Sequence, residues 1–263
     1  MTIQWSLVLF TALTGTAGCL YAALGIDEIR GKGQKGDFLI SLIALIILAV
    51  GGLASVTHLS HPENIMGALS HPTSGIFVEA VLVGITGVLG IAHLVTVKRG
   101  SSVAKVFALL AGIVGLVLAY SAGSSYMMSA QIAWNTVLLP LTYLFTAIPS
   151  GVGLYAVLRC AKKEEIDATT PLILAAGAAV GLICAIAYGL ASGAMDRGMT
   201  FMIVCFIGMA VAAVAGFMLK GKTEAGLTFA ALGFACAFIG AVAFRCAMWV
   251  MGSSLVDCFG TVI

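Results

Sequence analysis

Residues 55–84 read SVTHLSHPENIMGALSHPTSGIFVEAVLVG. The stretch closes one long apolar run, crosses a short polar connection and opens the next. It holds three of the chain's four histidines (His58, His61, His71), two prolines (Pro62, Pro72), and Glu79 a few residues into the second run. Two apolar runs joined this way read as a hairpin of membrane spans. The proton-active side chains gathered at its turn mark that turn as the place to look for chemistry. The remainder of the chain reads as a frame holding it at one membrane face.

Composition supports the same class. The mean hydropathy is +1.12, with 61% hydrophobic and 9% charged residues, more apolar surface than a water-soluble domain hides. Crossing a bilayer takes roughly 20 apolar residues. Eight such runs lie near Trp5–Gly25, Phe38–His58, Gly75–Val97, Val103–Gly123, Asn135–Leu158, Pro171–Ser192, Met199–Leu219 and Gly226–Met251. The expected fold is all-α, a polytopic transmembrane bundle of eight spans in one domain over residues 1–263. Short connections make successive helices antiparallel neighbours. Gly84, Gly87 and Gly90 on one face of the third run, and the pair Gly177 and Gly181, predict close helix approach.

The basic residues orient the bundle. The first, third, fifth and seventh connections hold Arg30, Lys32, Lys35, Lys98, Arg99, Lys105, Arg159, Lys162, Lys163, Lys220 and Lys222, whereas the even connections hold only Arg197. The positive-inside rule puts the odd connections in the cytoplasm and both termini outside. A run starting at Trp5 without a preceding Lys or Arg is expected to stay as a span rather than be removed as a signal peptide.

Several functions are excluded at this stage. A formal charge of +2 is too small to point to nucleic acid. The seven cysteines are scattered, with no Cys-x-x-Cys pair, so neither an iron–sulfur cluster nor a structural zinc is expected in this chain. Haem would need histidines inside facing helices. His93 is the one histidine well inside a run, and it lies near the cytoplasmic end. The spacing of His58, His61 and Glu63 matches no zinc signature.

At 1.5 Å per residue, three polar groups then share a depth. His58 ends the second run at the outer face, and Glu79 lies about one turn into the third. Arg245 lies roughly 9 Å below the outer end of the eighth. A guanidinium inside a span costs about 2.5–3.5 kcal/mol at mid-bilayer, so Arg245 either pairs with Glu79 or snorkels to the headgroups. Tyr126, Trp134 and Asn135 fall on the outer fourth connection, where an aromatic belt is the plain reading for the two rings. Imidazole and buried carboxylate are acceptors suited to taking protons from a hydroquinone. The residues alone leave open quinol oxidation, proton-coupled transport of a small molecule, or a purely tethering anchor.

Short motifs then carry a likeness. Thr57-His58-Leu59-Ser60 followed by Glu79, Tyr126-Met127 through Ala133-Trp134-Asn135-Thr136 to Pro140-Leu141, and Ile239-Gly240 to Arg245 resemble the membrane anchor subunit of dimethyl sulfoxide reductase. Phe10-Thr11 and Ala17-Gly18 echo that family's first span. This chain departs from it at Ser129, Gln131, Ile132 and Ala241. The resemblance implies an anchor that oxidises menaquinol to menaquinone at His58 and Glu79. Tyr126, Trp134, Asn135 and Arg245 would also border the quinol. It implies partners that hold the metals, an iron–sulfur electron-transfer subunit and a molybdopterin catalytic subunit, with no haem, iron–sulfur cluster or molybdenum in this chain. Its place would be the plasma membrane.

Overall fold

The computed structural model describes residues 3–34, 37–57, 71–219 and 226–252. Eight helices make up most of them: α1 (Trp5–Ile29), α2 (Asp37–Val56), α3 (Gly75–Lys98), α4 (Ala104–Ser124), α5 (Leu138–Ala161), α6 (Thr169–Ala191), α7 (Met195–Leu219) and α8 (Gly226–Met251). All eight are long and apolar enough to cross a membrane. A 3-10 turn, Ile132–Trp134, lies between α4 and α5. The expected spans fall on these helices with small differences at their ends. One difference matters: α1 continues past Gly25 to Ile29, which carries Asp27 and Glu28 inside the helix.

The helices stop where local chemistry stops them. Gly31, Gly100 and Gly193 adopt positive φ just beyond α1, α3 and α6, a left-handed position that closes a helix without a Cβ penalty. Ser74 caps α3, its hydroxyl accepting from the Phe77 amide at 3.2 Å, which satisfies one of the free N–H groups of the first turn.

α1 and α5 are the central staves. α1 packs on α2, α4 and α5, α5 packs on α4, α6 and α8, and α7 closes the far side against α6 and α8. Only 17% of the α3 span is buried, against 78% for α1, so α3 is a peripheral helix facing lipid. Close approach comes from glycine where backbones meet. A Cβ on Gly18 of α1 would lie 2.5 Å from the Gly115 backbone of α4. Pro149 within α5 has no N–H to give to the Phe145 carbonyl one turn back, and Gly181 of α6 lies over that freed oxygen. Gly177 and Gly181 thus pack as expected. Gly84 and Gly87 do not: Gly84 meets open space and Gly87 only the tip of Leu48, because α3 turns that part of its face to lipid.

Candidate functional site

Polar side chains gather at both ends of the bundle. At one end lie the start of α1, the end of α8 and the α4–α5 connection. At the other, α1, α3 and α5 finish.

The first end carries the residues singled out from sequence. Glu79, on the second turn of α3, is 8% exposed, and the Ser125 hydroxyl at the end of α4 faces its carboxylate. It lies close enough to Tyr126 and Tyr143 to act on both phenols electrostatically. Tyr126 is half-buried, with its ring edge-on to Trp134 at 5.8 Å and to Trp249 at 5.6 Å. Burial pushes the Tyr126 phenol far above its ordinary range, Tyr143 and Glu79 add to that, and Arg245 opposes it. Its hydroxyl is therefore a neutral donor.

Arg245 is fully buried. Its Nε donates to the Thr11 hydroxyl at 2.8 Å, one terminal nitrogen to the Ala241 carbonyl at 2.9 Å and the Thr146 hydroxyl at 3.5 Å, and the other to the Thr11 carbonyl at 3.3 Å. Its guanidinium stacks on the Tyr143 ring, 4.4 Å from the centroid. Both expectations for this residue are corrected. It neither pairs with Glu79 nor snorkels to the surface, because neutral oxygens on α1, α5 and α8 already take four of its five N–H donors. Tyr143 stands where the ion pair was expected.

The aromatic-belt reading also fails. Trp134 is 3% exposed, donates its ring N–H to the Met248 carbonyl at 2.9 Å and lies edge-on to Trp249 at 5.3 Å. A tryptophan held this way plugs the end of the bundle. Asn135 is exposed, and its amide N–H closes the 3-10 turn on the Gln131 and Ile132 carbonyls. His58 and His61 lie outside the described residues, and His71 is exposed.

Sequence reasoning missed Tyr143, Trp249, Thr11 and Thr146 as members of this group. A signal was present on α5: Thr142, Thr146 and Ser150 recur every fourth residue, a polar stripe within an apolar run. Each hydroxyl bonds back to the carbonyl four residues earlier.

The opposite end is more strongly ionic than sequence indicated. Arg159, counted there among connection charges, is fully buried inside α5. It pairs with Asp37 at 2.5 Å and Glu164 at 2.7 Å and donates from Nε to the Tyr155 oxygen at 2.8 Å. Tyr155 in turn donates to Asp27 at 2.6 Å. Beside them His93, fully buried on α3, lies 2.8 Å from Glu28. At the rim Arg30 pairs with Asp167 at 2.5 Å. The Thr169 hydroxyl, more than Arg30, holds the Asp167 carboxyl below the usual range.

Two open grooves are described, and neither touches Glu79. One, wholly apolar, lies between α7 and α8 around Val214, Met218 and Phe229. The other lies at the Arg159 end, about 790 Å³ lined by Gln34, Asp37, Phe38 and Lys98 among others. Among the described residues no group of three or more His, Cys, Asp or Glu is arranged to hold a metal.

Over residues 1–221 the sequence matches the family described as DMSO reductase anchor subunit (DmsC). It is also similar to a subunit of the anaerobic dimethyl sulfoxide reductase of Haemophilus influenzae. The two are 24% identical over 192 residues, which are 70% of this chain and 69% of that protein. The family match ends before α8 begins, so Arg245 lies outside it.

Proposed function

The chain belongs to the DMSO reductase anchor subunit family, and on that premise we propose that it oxidises menaquinol near the outer membrane face. Its two electrons pass to an iron–sulfur partner that feeds a molybdopterin-dependent reductase. Each quinol hydroxyl gives its proton to an acceptor, His58 or Glu79, and two protons leave for each two electrons passed on. Tyr126 borders the same site as a neutral hydrogen-bond donor, and Trp134 and Asn135 frame it. The 263 residues act as one anchor domain in the plasma membrane.

Orientation follows from the basic connections. Arg159 is buried and Arg30 is ion-paired, yet the positive-inside rule counts Lys and Arg and gives acids little weight. The Arg159 end is therefore cytoplasmic and Glu79 faces outward, with both termini.

The observation that carries this reading is Glu79. It is a carboxylate buried near the end of a peripheral helix, beside two phenols, with no ion-pair partner among the described residues. A structural carboxylate in lipid is ordinarily paired. One left unpaired at a lipid-facing seam is suited to taking a proton from a lipid-borne substrate. The transporter reading calls for spans broken at mid-membrane, and each described helix here is continuous. Glu79→Gln keeps the shape and removes the acceptor. It should slow menaquinol-dependent turnover of the assembled complex at least about a hundredfold, the lower end of the usual worth of a general base, with partner subunits retained. Turnover equal to the parent protein's removes Glu79 from the mechanism and leaves the tethering role.

A further inference from the structure

The chain buries two arginines completely, and it treats them differently. Arg159 sits between two carboxylates, so its charge is cancelled where it stands. Arg245 has no carboxylate among its described partners. Two hydroxyls and two carbonyls take four of its five N–H donors, and a tyrosine face covers its plane. Neutral acceptors satisfy hydrogen bonds without cancelling charge. Inside a low-dielectric bundle that charge reaches well beyond contact distance, because neither water nor salt screens it.

It reaches in one direction through aromatic rings. The guanidinium carbon lies 4.4 Å from the Tyr143 centroid, and that centroid lies 6.1 Å from Tyr126. The Tyr126 phenol feels both Arg245 and Glu79. Tyr143 and Tyr126 thus link a fixed cation to the edge of the proposed quinol site.

We infer that Arg245, held by Tyr143, is a positioning residue whose uncompensated positive charge stabilises the negative charge that develops on the quinol oxygen. The inference rests on the reading of Glu79 as a quinol proton acceptor. When the quinol O–H bond breaks, its proton goes to the Glu79 carboxylate and the bonding pair stays on the quinol oxygen. That negative charge persists until the electrons leave for the iron–sulfur partner. A preset cation helps most while the charge exists and hardly at all in the neutral ground state, which is how electrostatic preorganisation raises kcat. A unit charge roughly 10–12 Å from a developing anion, at an effective dielectric near 20, would be worth about a tenfold change in rate.

The test compares variants matched for shape and charge in the assembled complex, normalised to copurified iron–sulfur subunit. Arg245→Gln should lower kcat for menaquinol about tenfold with KM little changed, and Arg245→Lys, which keeps the charge, should recover most of the loss. Tyr143→Phe keeps the ring under the guanidinium and should be mild, whereas Tyr143→Leu should follow Arg245→Gln. Equal losses in the Lys and Gln variants, or a loss confined to KM, would overturn the inference by showing a packing or substrate-contact role. Glu79→Gln run alongside separates the two ideas. If it is inactive while Arg245→Gln is unaffected, only this inference fails; if it is fully active, the quinol reading itself fails.

Discussion

Removing Arg159 should damage the protein more than any other single charge change at its end of the bundle. The guanidinium joins α5 to Asp37 at the start of α2 and to Glu164 in the connection after α5. Through Tyr155 it also reaches Asp27 on α1. Arg159→Leu leaves Asp37, 4% exposed, and Glu164 without a counter-charge. Breaking a buried pair from one side costs about 3–5 kcal/mol, mostly for the charge left behind. For a domain of about this size 1 kcal/mol moves the unfolding midpoint by roughly 2–4 °C, so a fall of about 6–20 °C is expected. The assay is thermal unfolding in detergent followed with a thiol-reactive fluorophore, since Cys19, Cys205 and Cys246 are buried and label when the bundle opens. The mechanism makes a second demand. Asp37→Leu added to Arg159→Leu removes part of the stranded charge and should raise the midpoint again. A single variant within about 2 °C of the parent, which is under about 1 kcal/mol, or a double variant lower than either single, would refute the reasoning.

Two further outcomes follow from the same structure. Gly18→Val places branched carbons where the Gly115 backbone lies 2.5 Å from a Cβ. It should separate α1 from α4 and abolish recovery of folded protein, whereas Gly84→Val, which meets open space, should be recovered like the parent. A fluorescent protein that folds only in the cytoplasm should fluoresce when inserted after Lys163 and stay dark when inserted after Ser129; the reverse pattern would invert the proposed topology.

The spans were legible in the sequence to within about four residues at each end, because a bilayer imposes one length and one solvent on every helix and both are written in hydropathy. Contact partners were not. Arg245 and Glu79 share a depth, and depth is readable from residue counts, but azimuth is not: Arg245 stacks on Tyr143 rather than meeting Glu79, and nothing in the spacing of α3 and α8 says so. Trp134 looked like an interfacial ring because its connection lies outside the spans. The 3-10 turn folds it inward onto Met248 instead. Arg159 looked like a connection charge because it borders a charged segment, yet α5 extends far enough to bury it.

The two ends of the bundle handle charge in opposite ways. At the Arg159 end α1, α2, α3 and α5 contribute to a cluster in which acids outnumber bases and the buried guanidinium is met by carboxylates. Such a cluster fixes α1, α2, α3 and α5 relative to one another. At the Glu79 end the charges are kept apart. Arg245 and Tyr143 belong to α8 and α5, and α5 is among the most buried of the spans, while Glu79 rides on α3, the least buried. Had stability been the whole requirement, a direct Arg245–Glu79 pair would have cancelled both charges, as Asp37 and Glu164 cancel Arg159. On the proposed reading, holding a cation in the core and an acid at the lipid seam leaves the acid free for a lipid-borne proton donor and the cation free to act on what that donor becomes. A variant that brings an acid to the guanidinium tests this directly. Ala241→Glu, one turn before Arg245 on α8 and level with its bonded carbonyl, should cancel the field. If the field matters, turnover should fall about as far as in Arg245→Gln while thermal stability holds or rises. Undiminished turnover with the charge neutralised would show that the separation has no part in the chemistry.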